Sequence, residues 1–155
     1  MAEIPIRSFA VSAFVLRQTD AKAEVLLMER ADSLVGAWCQ VAGGLEEGET
    51  AWQAALREIT EETGLTPQRF YSGDICEQFY EPERDCISIF PVFVAFVDPA
   101  ARVTLNNEHS AYQWLDFDAA RALVSFSGQR RILSEIEAEF IHRTPSAHLE
   151  ITIPA

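Results

Sequence analysis

The segment from Thr50 to Gly64 constrains this chain more than any other. It opens on Thr50 with Gln53 three residues later, a capping-box pair. It closes on Gly64, a residue suited to a left-handed C-cap. The spacing predicts a helix over Ala51–Thr63. At about 100° per residue, Glu58, Glu61 and Glu62 share a sector about 100° wide. Ala51, Ala54 and Ala55 lie behind them on that face, small enough for a bulky neighbour to approach. Trp52, Leu56, Ile59 and Thr63 form the face expected to pack on a sheet. Arg57 flanks the acidic sector and reaches Glu61 at i+4.

Such a helix carries two penalties. Like charges one turn apart destabilise it by about 0.2–0.5 kcal/mol per pair. Carboxylates in its last turns oppose the helix dipole. A merely solvated acidic face gains nothing in return. A hard divalent cation converts the repulsion into coordination, and Mg²⁺ completes its shell with water and substrate phosphate.

The charge balance points the same way. Lys and Arg number 12 against 24 Asp and Glu, a net charge of −12. Sequence-independent binding to nucleic acid or anionic membrane needs clustered basic residues, so neither partner is expected. A small phosphorylated substrate is compatible if a cation lies between it and the protein. The longest apolar stretch, about 87–97, is broken by Ser88 and Pro91 and falls short of the ~20 residues of a membrane span. The N-terminus has no secretory pattern. Cys39, Cys76 and Cys86 form no CxxC and read as reduced thiols. The expected location is cytoplasmic.

A chain of 155 residues suits one domain. That domain is expected to span 1–155, with 143–155 as a peripheral tail. Strands are expected at Ser8–Arg17, Glu24–Arg30, Trp38–Ala42, Phe70–Ile75, Ser88–Val97 and Ala111–Leu115. Pro91 suggests an edge position or a bulge. Further helices are expected at Asp116–Val124 and Gln129–Ile141, the second with an apolar stripe of Ile132, Leu133, Ile136 and Phe140. Tyr112 and Trp114 alternate along a strand and are expected in the core. Strands interleaved with helices indicate an α/β or α+β sandwich.

Gly43, Glu49, Arg57, Glu58, Ile59, Glu61, Glu62, Gly64 and Leu65 match the pattern G-x5-E-x7-R-E-U-x-E-E-x-G-U, with U apolar. Its seven exact identities recur by chance on the order of once in 10⁸ windows. By this pattern the chain resembles the Nudix hydrolases. The resemblance implies an α/β/α sandwich around a mixed sheet and hydrolysis of a nucleoside diphosphate linked to another moiety. It implies Mg²⁺, with Mn²⁺ as a substitute, held by Glu58, Glu61 and Glu62. It also implies Arg57 as the residue that orients the glutamates, Glu49 as an outer carboxylate, and Gly43 in a tight loop before the helix.

A second segment, Glu108-His109-Ser110-Ala111-Tyr112-Gln113-Trp114-Leu115-Asp116, resembles the dihydroneopterin triphosphate pyrophosphatase subgroup; some diadenosine tetraphosphate hydrolases carry related text. The resemblance makes Glu108 a fourth carboxylate at the metal and a base toward water. Catalytic roles are thus expected for Arg57, Glu61, Glu62 and Glu108. Substrate contacts are expected from Arg30, Gly43, Gly44 and His109. The implied reaction releases diphosphate and a monophosphate from a nucleoside or pteridine triphosphate. ADP-ribose, oxidised nucleotides and dinucleoside polyphosphates remain open as substrates, as does a non-hydrolytic nucleotide sensor. The assembly is expected to be a monomer or homodimer. The segment 80–86 has no recognisable role.

Overall fold

The computed structural model describes residues 1–155. Eight strands form one mixed sheet: β1 (Ile6–Arg7), β2 (Ala10–Gln18), β3 (Ala23–Arg30), β4 (Trp38–Cys39), β5 (Val41–Gly44), β6 (Arg69–Glu81), β7 (Cys86–Phe96) and β8 (His109–Leu115). Three α-helices flank it: α1 (Ala51–Thr63), α2 (Phe117–Leu123) and α3 (Ser127–Ile136). A π-helical turn, Glu137–Ile141, continues α3, and a 3₁₀ turn covers Ala147–Leu149. No helix is long and apolar enough to cross a membrane.

The β2–β7 pair is parallel and central, with Ser12 opposite Val92 and Leu16 opposite Phe96. The other long edge of β2 is shared. Its first half pairs with β5, and its last residues pair with β3. Because β3 diverges from β2, its free length takes β4 on one side and β8 on the other. β6 runs antiparallel along all of β7, and β1 adds a short parallel pair to the start of β7.

Both faces of the sheet are buried, which explains the near-continuous apolar runs in its middle strands. Val11, Ala13 and Val15 face α1, together with Leu26, Phe93 and Ala95. Phe14 and Leu16 face α2 and α3, together with Val25, Leu27, Val92 and Val94. The period of two thus splits each apolar run between two cores. The layers are helix, sheet, helices, as expected.

Several elements differ from expectation for local reasons. The Trp38–Ala42 strand is two pieces, because Trp38 and Cys39 pair with β3 whereas Val41 onward pairs with β2. β6 runs on to Glu81 rather than stopping at Ile75, and residues 82–85 form the tip of a long hairpin. Pro91 sits in the central strand, and the bulge lies in its partner: β6 shifts register between Ser72 and Cys76, opposite Pro91. The expected helix 129–141 is α-helical only to Ile136. Tyr112 is 43% exposed and not in the core, while Trp114 is half-buried beneath the Arg17 guanidinium, 4.5 Å from its ring centre. Residues 143–155 run along the outer edge of β6. Glu150 bridges Tyr71, Leu149 packs on the α2/α3 core, and Ile151 and Ile153 pack on the α1 core. The tail is therefore a strap joining both layers.

Candidate active site

α1 occupies Ala51–Thr63, the residues the sequence indicates. Both capping-box hydrogen bonds form: Thr50 N–H donates to Gln53 Oε1 at 2.9 Å, and Gln53 N–H donates to Thr50 Oγ1 at 3.3 Å. Gly64 ends the helix at φ 71°. The buried face differs from expectation. Ala54 and Ala55 lie deepest, with Glu58, Ile59, Glu62 and Thr63, while Trp52 and Leu56 are only half-buried. The alanines admit the sheet rather than a ligand. That rotation carries two of the three glutamates inward.

Glu58 rests against Gly43. A Cβ at Gly43 would overlap the Glu58 carboxyl group and lie 2.7 Å even from its far oxygen. Gly43 belongs to β5 and has no left-handed φ, so its role is close approach and not the expected tight loop. The left-handed glycine of the following loop is Gly48, at φ 83°.

Arg57 ties that loop to the helix. Its fork grips Glu49 bidentately at 2.7 and 2.8 Å, and it also donates to the Gly44 carbonyl at 2.9 Å. It reaches Glu58 at 2.8 Å and Glu61 at 3.2 Å. The Arg57 hydrogen bonds, with the Glu46 backbone amide, hold the Glu49 carboxyl well below the usual range. The Glu61 side chain is 52% exposed and stays on this outer flank.

Glu62 is buried to 1% exposure. Burial pushes its carboxyl above the ordinary range, and the neighbouring Glu58 and Glu108 add to the shift. Burial likewise raises Glu58. One ligand atom each from Glu62, Glu108 and His109 lies within 4.8 Å of the others. Glu62 Oε2 and His109 Nδ1 are buried without a hydrogen-bond partner. Two orphaned buried donor atoms beside an exposed carboxylate fit a divalent cation, which satisfies them and offsets the repulsion.

β8 positions the outer two members of this cluster. Glu108 precedes the strand, with its N–H on Asn106 Oδ1 at 3.1 Å and its carbonyl accepting from Ala31 N–H at 2.9 Å. His109 pairs with Arg30 across the β3–β8 ladder at a register shift. The His109 ring is buried. Burial first and Arg30 second lower its pKa below the ordinary imidazole value. Its Nδ1 lies 3.6 Å from Glu62 Oε1 and its Nε2 3.8 Å from Cys39 Sγ.

A recess of about 200 Å³ opens over these groups, lined by Arg30, Asp32, Ser33, Ala42, Glu62, Glu108 and His109. The Arg30 guanidinium is oriented by the Ser33 carbonyl, at 2.6 Å, and by the Ser33 hydroxyl. It is the cation of an otherwise acidic recess, suited to an anionic substrate. The fold therefore brings Arg30, Glu62, Glu108 and His109 to one recess and sets Glu58 beside Glu62. Of β5, Ala42 lines it; the expected substrate contacts Gly43 and Gly44 do not, since Gly43 abuts Glu58 and the Gly44 carbonyl accepts from Arg57. Glu61 also lies outside it. Sequence reading passed over Asn106, which orients Glu108, and Ser12 and Gln40, whose polarity within strand segments was the available signal.

The sequence comparison decides the family. The NUDIX domain profile matches residues 7–136. The chain belongs to the Nudix family. It is a pyrophosphohydrolase by that membership, and Nudix hydrolases generally use divalent metal ions. The dihydroneopterin triphosphate diphosphatase of Escherichia coli (strain K12) is 33% identical over 140 residues, covering 81% of this Nudix chain and 90% of that one. The asymmetrical bis(5'-nucleosyl)-tetraphosphatase of Caenorhabditis elegans is 26% identical over 131 residues, covering 83% and 94%. The octanoyltransferase of Myxococcus xanthus is 32% identical over 142 residues, but the chain spans only 37% of its length. The solved structure of the E. coli dihydroneopterin triphosphate pyrophosphohydrolase superposes with a TM-score of 0.70 at 26% identity, covering 91% of this chain and all of that one.

Proposed function

We propose that this Nudix hydrolase cleaves a diphosphate linkage in a nucleoside or pteridine triphosphate, releasing diphosphate and a monophosphate. The observation that carries the reading is the recess itself: orphaned Glu62 and His109 atoms, an exposed Glu108 and a fixed Arg30 within one concavity. The 33% identity to the E. coli diphosphatase supports the substrate class.

Glu62, Glu108 and Glu58 would hold Mg²⁺, and Mn²⁺ would substitute. Bound there, the ion supplies charge neutralisation for phosphate oxygens. Arg30, which lines the same recess, binds and orients phosphate. Glu108, exposed at the mouth, accepts the proton of the attacking water. Arg57 keeps Glu58 against Gly43 by holding the loop to the helix. Glu61 acts from the flank through Arg57.

A second reading, asymmetrical cleavage of a dinucleoside tetraphosphate, is favoured by the C. elegans relative. Both readings predict Mg²⁺-dependent turnover lost in Glu62→Gln. The test is a chromatographic product panel of (d)NTPs, oxidised (d)NTPs, dihydroneopterin triphosphate, diadenosine tetraphosphate and ADP-ribose. Diphosphate release from a triphosphate supports the first reading. Dominant turnover of diadenosine tetraphosphate selects the second. Silence across the panel overturns both and favours a nucleotide sensor.

A further inference from the structure

On the α3 side of the sheet, a directed chain of hydrogen bonds ends on a carboxylate. The Phe126 N–H donates to Gln129 Oε1 at 3.1 Å. Gln129 Nε2 donates to Gln40 Oε1 at 3.0 Å. Gln40 Nε2 donates to Ser12 Oγ at 2.8 Å and to Glu77 Oε2 at 2.9 Å. A backbone N–H can only donate, so every amide in the chain is turned with its NH₂ toward Glu77. Ser12, Gln40 and Gln129 are all buried.

Glu77 is the odd member. A tie between α3 and the sheet is complete at Gln40 and Ser12 and needs no charge. Yet a carboxylate ends the chain, with burial raising it above its ordinary range and no cation among its partners. Its Oε2 holds the Gln40 bond and a long Ser12 contact of 3.4 Å. Its Oε1 accepts no hydrogen bond and is not sealed off from solvent. A preoriented acceptor with a free oxygen is a recognition element without its donor.

Its surroundings specify the shape of that donor. Phe90 lies directly opposite Glu77 across β6 and β7. Phe79, two residues along β6 and on the same face, meets Phe90 edge-on at 5.6 Å and is 39% exposed. Ring faces beside a carboxylate suit a planar heterocycle with N–H groups along one edge. The cluster also adjoins the acidic recess. Ser12 pairs with Ala42, which lines that recess, and Gln40, in the link between β4 and β5, lies two residues before Ala42 in the chain.

Building on the triphosphate reading, we propose that Glu77, oriented by Gln40 and Ser12 and flanked by Phe79, selects an aminopyrimidinone ring edge, the edge shared by guanine and pterins, over adenine. That edge places a ring N–H beside an exocyclic NH₂. Oε1 takes one donor, and the long Ser12 contact leaves Oε2 room for the other. Adenine turns a ring-nitrogen lone pair toward the same carboxylate, and that contact is repulsive.

The test is kcat/KM at saturating Mg²⁺ for dGTP, dITP, dATP and dihydroneopterin triphosphate, with wild type and Glu77→Gln. Wild type is expected to favour dGTP and dihydroneopterin triphosphate over dATP by about 10²-fold, with dITP, lacking the amino group, between them. Glu77→Gln should shrink the dGTP/dATP ratio at least about tenfold, its melting temperature serving as the folding control. A parallel titration follows tryptophan fluorescence with guanosine, neopterin and adenosine in EDTA, which separates ring selection from hydrolysis. A preference for guanosine or neopterin that Glu77→Gln loses supports the proposal even if no triphosphate is cleaved, a result that sinks only the hydrolytic reading. Turnover without ring preference, equal loss on all four substrates, or no ring preference in either assay overturns the proposal.

Discussion

The carboxylate of Glu58 lies where the side chain of any residue but glycine at position 43 would begin. Strand β5 and helix α1 are thereby locked at a separation that a single methyl group disturbs. Gly43→Ala should fold, because β5 is a short edge strand whose φ suits alanine. It should displace Glu58 and lower kcat by about 10²-fold, the usual scale for an ångström of misplacement. Steady-state kinetics with circular dichroism as the folding control decide this, and a near-wild-type kcat would remove Glu58 from the site.

Arg57 is a fork, not a point charge. It holds Glu49 with two bonds while also reaching Gly44, Glu58 and Glu61. Arg57→Lys keeps the charge and loses the planar geometry. The expected result is a kcat at least about tenfold lower with KM nearly unchanged, because lysine leaves Glu58 and the loop less firmly placed.

Glu62, repelled by Glu58 and Glu108, should respond strongly to a cation. Mg²⁺ at 100 times its Kd adds about 2.7 kcal/mol to a folded protein, which is roughly 5–10 °C in Tm at this size. Calorimetry of the metal-free protein titrated with MgCl₂ should record that rise. Glu62→Gln should start at a higher Tm without metal, because burial opposes ionisation of the Glu62 carboxyl, and gain less than about 2 °C from Mg²⁺.

Glu77 gives a pH dependence with a definite sign. Burial raises its carboxyl in the folded state above the ordinary 4.5, so the folded chain holds that proton more readily than the unfolded one. Stability from this group is therefore highest below the unfolded value and declines as pH rises through the window up to the folded one. Thermal melts should find Glu77→Gln above wild type at pH 7, with the gap closing toward about pH 4. A gap that widens on acidification would contradict the sign.

The helix Ala51–Thr63 was readable to the residue because every cue for it is local: a capping box at Thr50, a 3.6-residue period and a glycine stop. The spacing of its carboxylates, the charge balance and the segment beginning at Glu108 were equally local. Sequence alone therefore determined the family and the helix that carries its glutamates, and pointed to a divalent cation. Tertiary structure decided which groups meet. Glu61 and Glu62 are neighbours in sequence, yet helix rotation against Ala54 and Ala55 sends one outward to Arg57 and buries the other. His109 joins Glu62, 47 residues away in the chain, because β8 pairs with β3, and no local period encodes that pairing. The same holds for Ser12, Gln40, Glu77 and Gln129, whose hydrogen bonds join two strands, the link between β4 and β5, and a helix. Local preference places a residue on a face; only the pairing of distant strands places it against its partner.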